Sequence, residues 1–154
     1  MAYLLNIETA TKNCSVSLAK DGSTLICKEI AEEGFSHAER LHVFIEEIIR
    51  EAGITFQDLN AIAVSQGPGS YTGLRIGVSA AKGLCYALDI PLIAIDTLQT
   101  LARQVKQTDG CIVPMIDARR MEVYTAVFDG KSGKMISETE AKILDETSFR
   151  SEER

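Results

Sequence analysis

The sequence predicts an α/β fold of order β-β-β-α-β-α-β-α, followed by the opening of a second, similar unit. Three observations carry this. Short apolar runs of strand character alternate with helical periodicity after residue 36. The stretch 65–83, with Gly67, Gly69, Gly73 and Gly77 close together, reads as a strand breaking sharply into a helix. The spacing Ile7–Val16–Gly22 recurs, within a residue, as Ile116–Thr125–Gly130.

Tyr3–Ile7 is a short apolar run that ends at Glu8. Cys14–Ala19 alternates apolar residues with serines, as a half-buried strand does, and Asp21-Gly22 supplies the turn into a returning strand, 24–30. Ser36-x-x-Glu39 has the form of a capping box. Behind it Leu41, Phe44, Ile45, Ile48, Ile49 and Ala52 repeat at helical spacing until Gly53. Thr55–Leu59 makes one short turn, and Ala61–Ser65 is a buried strand. A helix from about Thr72 to Leu88 stops before Pro91. A strand at Leu92–Ile95, an N-cap at Asp96 and a helix over Thr97–Val105 complete the first unit.

The pattern then restarts. Ile112–Ile116 is a strand leading to Asp117, Glu122–Phe128 is the next, Asp129-Gly130 turns, and a strand returns around Met135–Ile143. The chain therefore divides into a first unit, 1–108, and the start of a second, 109–154, with a helix start expected after Leu144-Asp145. A second unit made of three strands and little else would expose a sheet face, so the expectation is a shortened repeat or a partner that covers it.

Apolar and charged contents of 45% and 25% are ordinary for a globular chain. With net charge −6 and Arg119-Arg120 as the only basic cluster, autonomous nucleic-acid binding is disfavoured. Cys14, Cys27, Cys85 and Cys111 form no Cys-x-x-Cys pair and read as reduced core cysteines. Neither a signal peptide nor an apolar stretch of membrane-spanning length is visible, so a soluble cytoplasmic protein is expected.

The glycine stretch is tested first as a nucleotide loop. Gly67, Gly69 and Gly73 carry one residue too many for Gly-x-Gly-x-x-Gly, and Lys82 is followed by Gly83 where a P-loop needs Ser or Thr. Its helix start could still face an anion, with Arg75 nearby. The favoured reading is packing: Gly73, Gly77, Ala80 and Ala81 flatten one helix face for a second helix, because each helical glycine costs about 1 kcal/mol and needs a reason. His37 and His42 stand at i, i+5, roughly 140° apart around a helix, so they do not make a metal pair. Glu8 and Asp117 end corresponding strands and in a facing pair of units could hold Mg²⁺ through waters. No Ser/His/Asp or Cys/His nucleophile arrangement can be assembled.

These residues also carry a resemblance. Leu4–Thr11, Ser36-His37 to Leu41, Gln66–Gly77, Ala81–Leu84, Pro91-Leu92, Asp96–Leu98, Asp117–Arg119 and Glu122–Tyr124 look like the TsaB (YeaZ) family, over essentially the whole chain. The resemblance implies the actin-like ATPase fold, two ribonuclease-H-like halves around a cleft. It also implies membership of the complex that installs N6-threonylcarbamoyl on adenosine 37 of tRNAs reading ANN codons. Such members are regarded as non-catalytic scaffolds similar to the catalytic subunit TsaD. They pair with TsaD, or with a second copy of themselves, through a helix bundle, and a TsaE-like ATPase joins the pair. The tRNA is then reached only through the complex. The docking residues expected here are Gly73, Leu74, Gly77, Val78, Ala80 and Ala81, with Leu41 and Ile45.

No cofactor of the chain's own is expected, with ATP or ADP and Mg²⁺ entering in the full complex. The alternative is an ATP- or ADP-binding phosphotransferase of the same fold, using Glu8, Thr9, Gly67, Gly69 and Asp117. Many relatives have Asp in place of Glu8, whose extra methylene shifts any metal contact. The histidine pair that TsaD-like members use for metal is not built, so the older glycopeptidase description is unsupported by these residues.

Overall fold

Three antiparallel strands, β1 (Tyr3–Glu8), β2 (Cys14–Lys20) and β3 (Ser23–Ile30), open the chain in a computed structural model that describes residues 1–31, 37–106 and 109–150. The β2–β3 turn works because Asp21 and Gly22 both take left-handed φ, +49° and +84°. The alternation along β2 buries Cys14, Val16 and Leu18. Helix α1 (His37–Glu51) follows; Ser36, its expected cap, lies outside the described residues. Gly53 closes α1 with φ +66° and donates to the Arg50 carbonyl at 3.1 Å. A 3₁₀ turn at Phe56–Asp58 leads to β4 (Leu59–Gly67), α2 (Tyr71–Leu88) and β5 (Leu92–Asp96).

The sheet order is β3-β2-β1-β4-β5, with β4 parallel to β1. Helix α1 lies across β2 and β3, and α2 across β4 and β1. Leu5, Ile7, Val16, Leu18, Ile62 and Val64 from the strands meet Leu41, Ile45, Ile48, Ile49, Ala81 and Cys85 from the helices in one buried cluster. At the sheet edge Lys28 reaches Glu51 (2.7 Å) and Glu47 (3.1 Å), tying β3 to α1 and holding the ammonium above its ordinary pKa. The β2–β3 ladder changes register between Leu18 and Ala19.

Backbone packing gives two units, Met1–Ile95 and Asp96–Arg154. In the second, Asp96 caps α3 (Thr97–Gln104) by accepting from the Gln99 N–H at 2.8 Å, as expected. The strands there are shorter than the sequence suggested. The run 112–116 splits into β6 (Cys111–Ile112) and β7 (Met115–Arg119), because Pro114 has no N–H for the ladder. Its partner run splits likewise into β8 (Glu122–Thr125) and β9 (Phe128–Asp129). The Thr125 hydroxyl donates to the Pro114 carbonyl at 3.0 Å across that double break.

The strand expected around Met135–Ile143 reduces to a bridge at Met135 and to β10 (Glu140–Ile143). The Asp129-Gly130 turn is a wider loop, closed by Gly133 donating to the Asp129 carbonyl at 2.7 Å. The Asp129 carboxylate accepts from Ser132, which holds it below the usual carboxylate range. Antiparallel β10-β8-β7 has the meander connectivity of β3-β2-β1. After Leu144, Asp145 accepts from Thr147 and Ser148 in a turn, where the sequence suggested a helix start.

Cys14 and Cys85 are buried, and burial pushes both thiols up in pKa. Cys27 and Cys111 are exposed, correcting the expectation of four core cysteines. On β3 the inward positions are Ile26, Lys28 and Ile30, so Cys27 faces out.

Candidate functional site

Helix α2 meets the β1–β2 connection at very short range. Ser70 caps the helix, its hydroxyl accepting from the Gly73 N–H at 3.3 Å, while its own N–H donates to the Ala10 carbonyl at 2.6 Å. The Thr9 hydroxyl, 1% exposed, donates to the Gly73 carbonyl at 2.8 Å. A Cβ on Gly73 would fall 2.1 Å from the Thr9 carbonyl oxygen, one on Gly77 2.2 Å from Thr9 Oγ1, and one on Gly69 2.3 Å from the Ala10 carbonyl oxygen. The glycines are therefore where the chain's own loop presses on the helix. Gly67, at φ +114°, adds the left-handed bend, and its peptide bond to Pro68 is cis.

Glu8 completes this corner. One carboxylate oxygen accepts from the Ala10 N–H at 2.6 Å and the other from the Ser65 hydroxyl, linking the ends of β1 and β4. Removing the carboxylate leaves two part-buried donors without an acceptor, at about 1–3 kcal/mol. Glu8→Ala is accordingly expected to lower the midpoint of urea unfolding, with an unchanged slope. Asp117 lies on β7 in the second unit and accepts from the Arg119 N–H at 2.8 Å. Of the five residues expected in a nucleotide cleft, Glu8, Thr9, Gly67 and Gly69 thus come together around the β1–β2 connection. Among the described residues no group of three or more His, Cys, Asp and Glu is gathered as metal ligands would be.

The opposite side of α2 is open. Between it and α1 runs a groove of about 690 Å³, with Ile76, Ala80 and Leu84 as its apolar part. Thr72 and Ser79 contribute hydroxyls, Arg75 and His42 the basic groups, and Gly83 a position with nothing within 4 Å of a Cβ. Arg75 sits 5.4 Å from the centroid of the Tyr71 ring, and Tyr71 is itself 74% exposed.

A family model described as TsaD, tRNA N6-adenosine threonylcarbamoyltransferase, matches residues 29–148. The tRNA threonylcarbamoyladenosine biosynthesis protein TsaB of Bacillus subtilis is 38% identical over 130 residues, covering 84% of this chain and 56% of that protein. Its counterpart in Escherichia coli is 37% identical over 127 residues, covering 81% and 54%. YeaZ from Pseudomonas aeruginosa superposes with a TM-score of 0.78 at 32% identity, covering 94% of this chain and 68% of that one. The chain belongs to the TsaB/YeaZ family. Its fold is the actin-like, ribonuclease-H-like one, and it spans about half the length of the curated TsaB relatives it matches.

For this TsaB-family chain, the expected docking residues fall at different depths. Gly73, Gly77 and Ala81 face the chain's own sheet and the Thr9 loop, and Leu41 and Ile45 of α1 are core residues at 0% and 2% exposure. Leu74 and Val78 are half-buried on the flank. Of the eight, Ala80 alone lines the groove. The other α2 residues along the groove, Thr72, Arg75, Ile76, Ser79, Gly83 and Leu84, were not among those expected, and Ile76 and Leu84 also pack against the core. Thr72, Arg75, Ser79 and Gly83 follow one another at three- and four-residue steps on the side of α2 opposite Gly73, Gly77, Ala81 and Cys85, a pattern present in the sequence.

Proposed function

We propose that this chain is a non-catalytic scaffold subunit in the formation of N6-threonylcarbamoyladenosine on adenosine 37 of tRNAs reading ANN codons. It docks a TsaD-like threonylcarbamoyltransferase through the outward faces of α1 and α2. The observation that carries this reading is the open groove between those helices, apolar along Ile76, Ala80 and Leu84. The names of the relatives support the pathway, and the match to a TsaD model supports a partner built on the same fold. In this reading a TsaE-like ATPase joins the pair, tRNA is engaged through the complex, and this chain needs no nucleotide of its own.

The phosphotransferase alternative is the weaker reading. Both oxygens of Glu8 already serve the β1–β4 corner, so a metal ion there would have to displace those bonds.

Ala80→Trp tests docking. An indole filling the groove is expected to weaken association with the TsaD-like subunit of the same source about 100-fold by calorimetry, roughly 2.7 kcal/mol. Because Ala80 also packs against the core, circular dichroism is needed to establish that the variant remains folded. Undiminished affinity in a folded Ala80→Trp chain would remove this reading.

A further inference from the structure

Besides Arg119-Arg120, the second unit assembles a basic corner that the sequence does not display, because its members come from two separate elements. Arg103 stands on the last turn of α3, and Lys131 and Lys134 stand in the loop 130–134 after β9. Gly133, at φ +65°, brings them together. A Cβ there would lie 3.2 Å from both Cζ and Nη1 of Arg103, so the guanidinium rests on the backbone of the loop.

The loop is braced by its own hydrogen bonds. The Gly133 N–H donates to the Asp129 carbonyl at 2.7 Å, the Asp129 N–H to the Lys134 carbonyl at 2.8 Å, and the Gly130 N–H to the Gly110 carbonyl at 2.8 Å. Its one acid is already engaged, since the Asp129 carboxylate accepts from the N–H and the hydroxyl of Ser132 at 2.6 and 2.5 Å. Arg103, Lys131 and Lys134 are all exposed, and among the described residues none of them is in an ion pair. A helix C-terminus favours a cation, which accounts for an arginine at 103. It does not account for two lysines on the loop beneath. Like charges gathered without counter-charges repel one another, and here they do so in a chain of net charge −6. Such a corner is the footprint of a polyanion.

We propose that Arg103, Lys131 and Lys134 contact the phosphate backbone of the tRNA held by the complex, a step that rests on the scaffold reading above. Residues 129–134 carry no apolar side chain, so the corner lacks the water-excluding centre of a protein interface. Basic and hydroxyl groups are the usual contacts to phosphate oxygens, and they position a nucleic acid without reading its sequence. So few contacts on an acidic chain hold no RNA alone, and the corner acts once the partner has brought the tRNA.

The test titrates a tRNA with unmodified adenosine 37 into the full chain paired with the TsaD-like subunit of the same source, from about 50 to about 200 mM NaCl. Each neutralised phosphate contributes about 0.7–0.9 to the log–log salt slope. The triple variant Arg103→Gln, Lys131→Gln, Lys134→Gln is therefore expected to lower that slope by about 2. At the lower salt it should bind at least about tenfold more weakly, and the advantage of wild type should shrink about 16-fold across the range. Lys131→Arg with Lys134→Arg should keep both affinity and slope. The loss should be the same with an unrelated tRNA, because phosphates carry no sequence. If circular dichroism shows the triple variant unfolded, the three single Gln variants replace it, each expected to lower the slope by about 0.7–0.9.

Calorimetric association of the two proteins without RNA is measured alongside and is expected to be unchanged. Normal pairing with wild-type tRNA affinity and slope in the folded variant would overturn the proposal and leave the scaffold reading in place. Weakened pairing without RNA would assign the corner to the protein partner and overturn it likewise. A wild-type pair that binds no tRNA would also overturn it, and failure of wild type to pair at all would remove both readings together.

Discussion

Gly73→Ala is expected to destabilise the first unit by about 3 kcal/mol, the upper end of the overpacking range. Helix propensity points the other way, favouring alanine by about 1 kcal/mol. The steric contact decides the sign: the new methyl would lie 2.1 Å from the Thr9 carbonyl oxygen, a backbone atom of the residue directly after β1. Gly77→Ala meets a different obstacle, the Thr9 hydroxyl at 2.2 Å. A side chain can be cut back where a carbonyl cannot. Thr9→Ala should therefore recover much of the loss in Gly77→Ala and little of it in Gly73→Ala. The double-mutant cycle is read from urea midpoints at constant slope. A neutral or stabilising Gly73→Ala would show that the helix does not approach the loop as described. The same experiment separates folding from docking, because a bulky residue at Gly77 or Ala81 would lose a partner by unfolding this unit.

Phe128→Ala is expected to cost the second unit about 3–5 kcal/mol. Phe128 is 0% exposed and is the largest member of a small cluster with Leu98, Ala102 and Ala126, flanked by Ile112 and Ile116. The two alanines leave little neighbouring bulk to collapse into the space. The loss should be read from amide hydrogen exchange at β7 and β8, where Tyr124 and Thr125 pair with Ile116 and Met115. Phe128→Leu, which keeps most of the volume, should cost much less. Protection in Phe128→Ala equal to wild type would mean that this ring does not organise the unit.

Most of the first unit could be read from the sequence because local signals and tertiary demands agree there. Asp21-Gly22 sets a hairpin, the period along Cys14–Leu18 matches a half-buried strand, and Gly53 ends a helix whose apolar stripe faces the sheet. The second unit was harder, since its strands are interrupted by tertiary choices such as Thr125 bonding the Pro114 carbonyl. The glycines of α2 show where sequence reasoning reached its limit. Small residues on a helix signal close approach, yet not what approaches, and here it is Thr9, by its carbonyl at Gly73 and its hydroxyl at Gly77. Glu8 carried the same ambiguity, because a strand-end carboxylate has one spelling whether it binds a metal or caps Ala10 and Ser65.

The outermost strand has a bearing on how the molecule behaves when crowded. β3 forms one edge of the five-stranded sheet, and a free edge is a template on which foreign strands can grow. Here Lys28 and Glu29 interrupt its apolar character, Lys28 is anchored to α1, and the register change at Leu18/Ala19 breaks the regularity of its ladder. These features discourage fibril-like stacking at that edge.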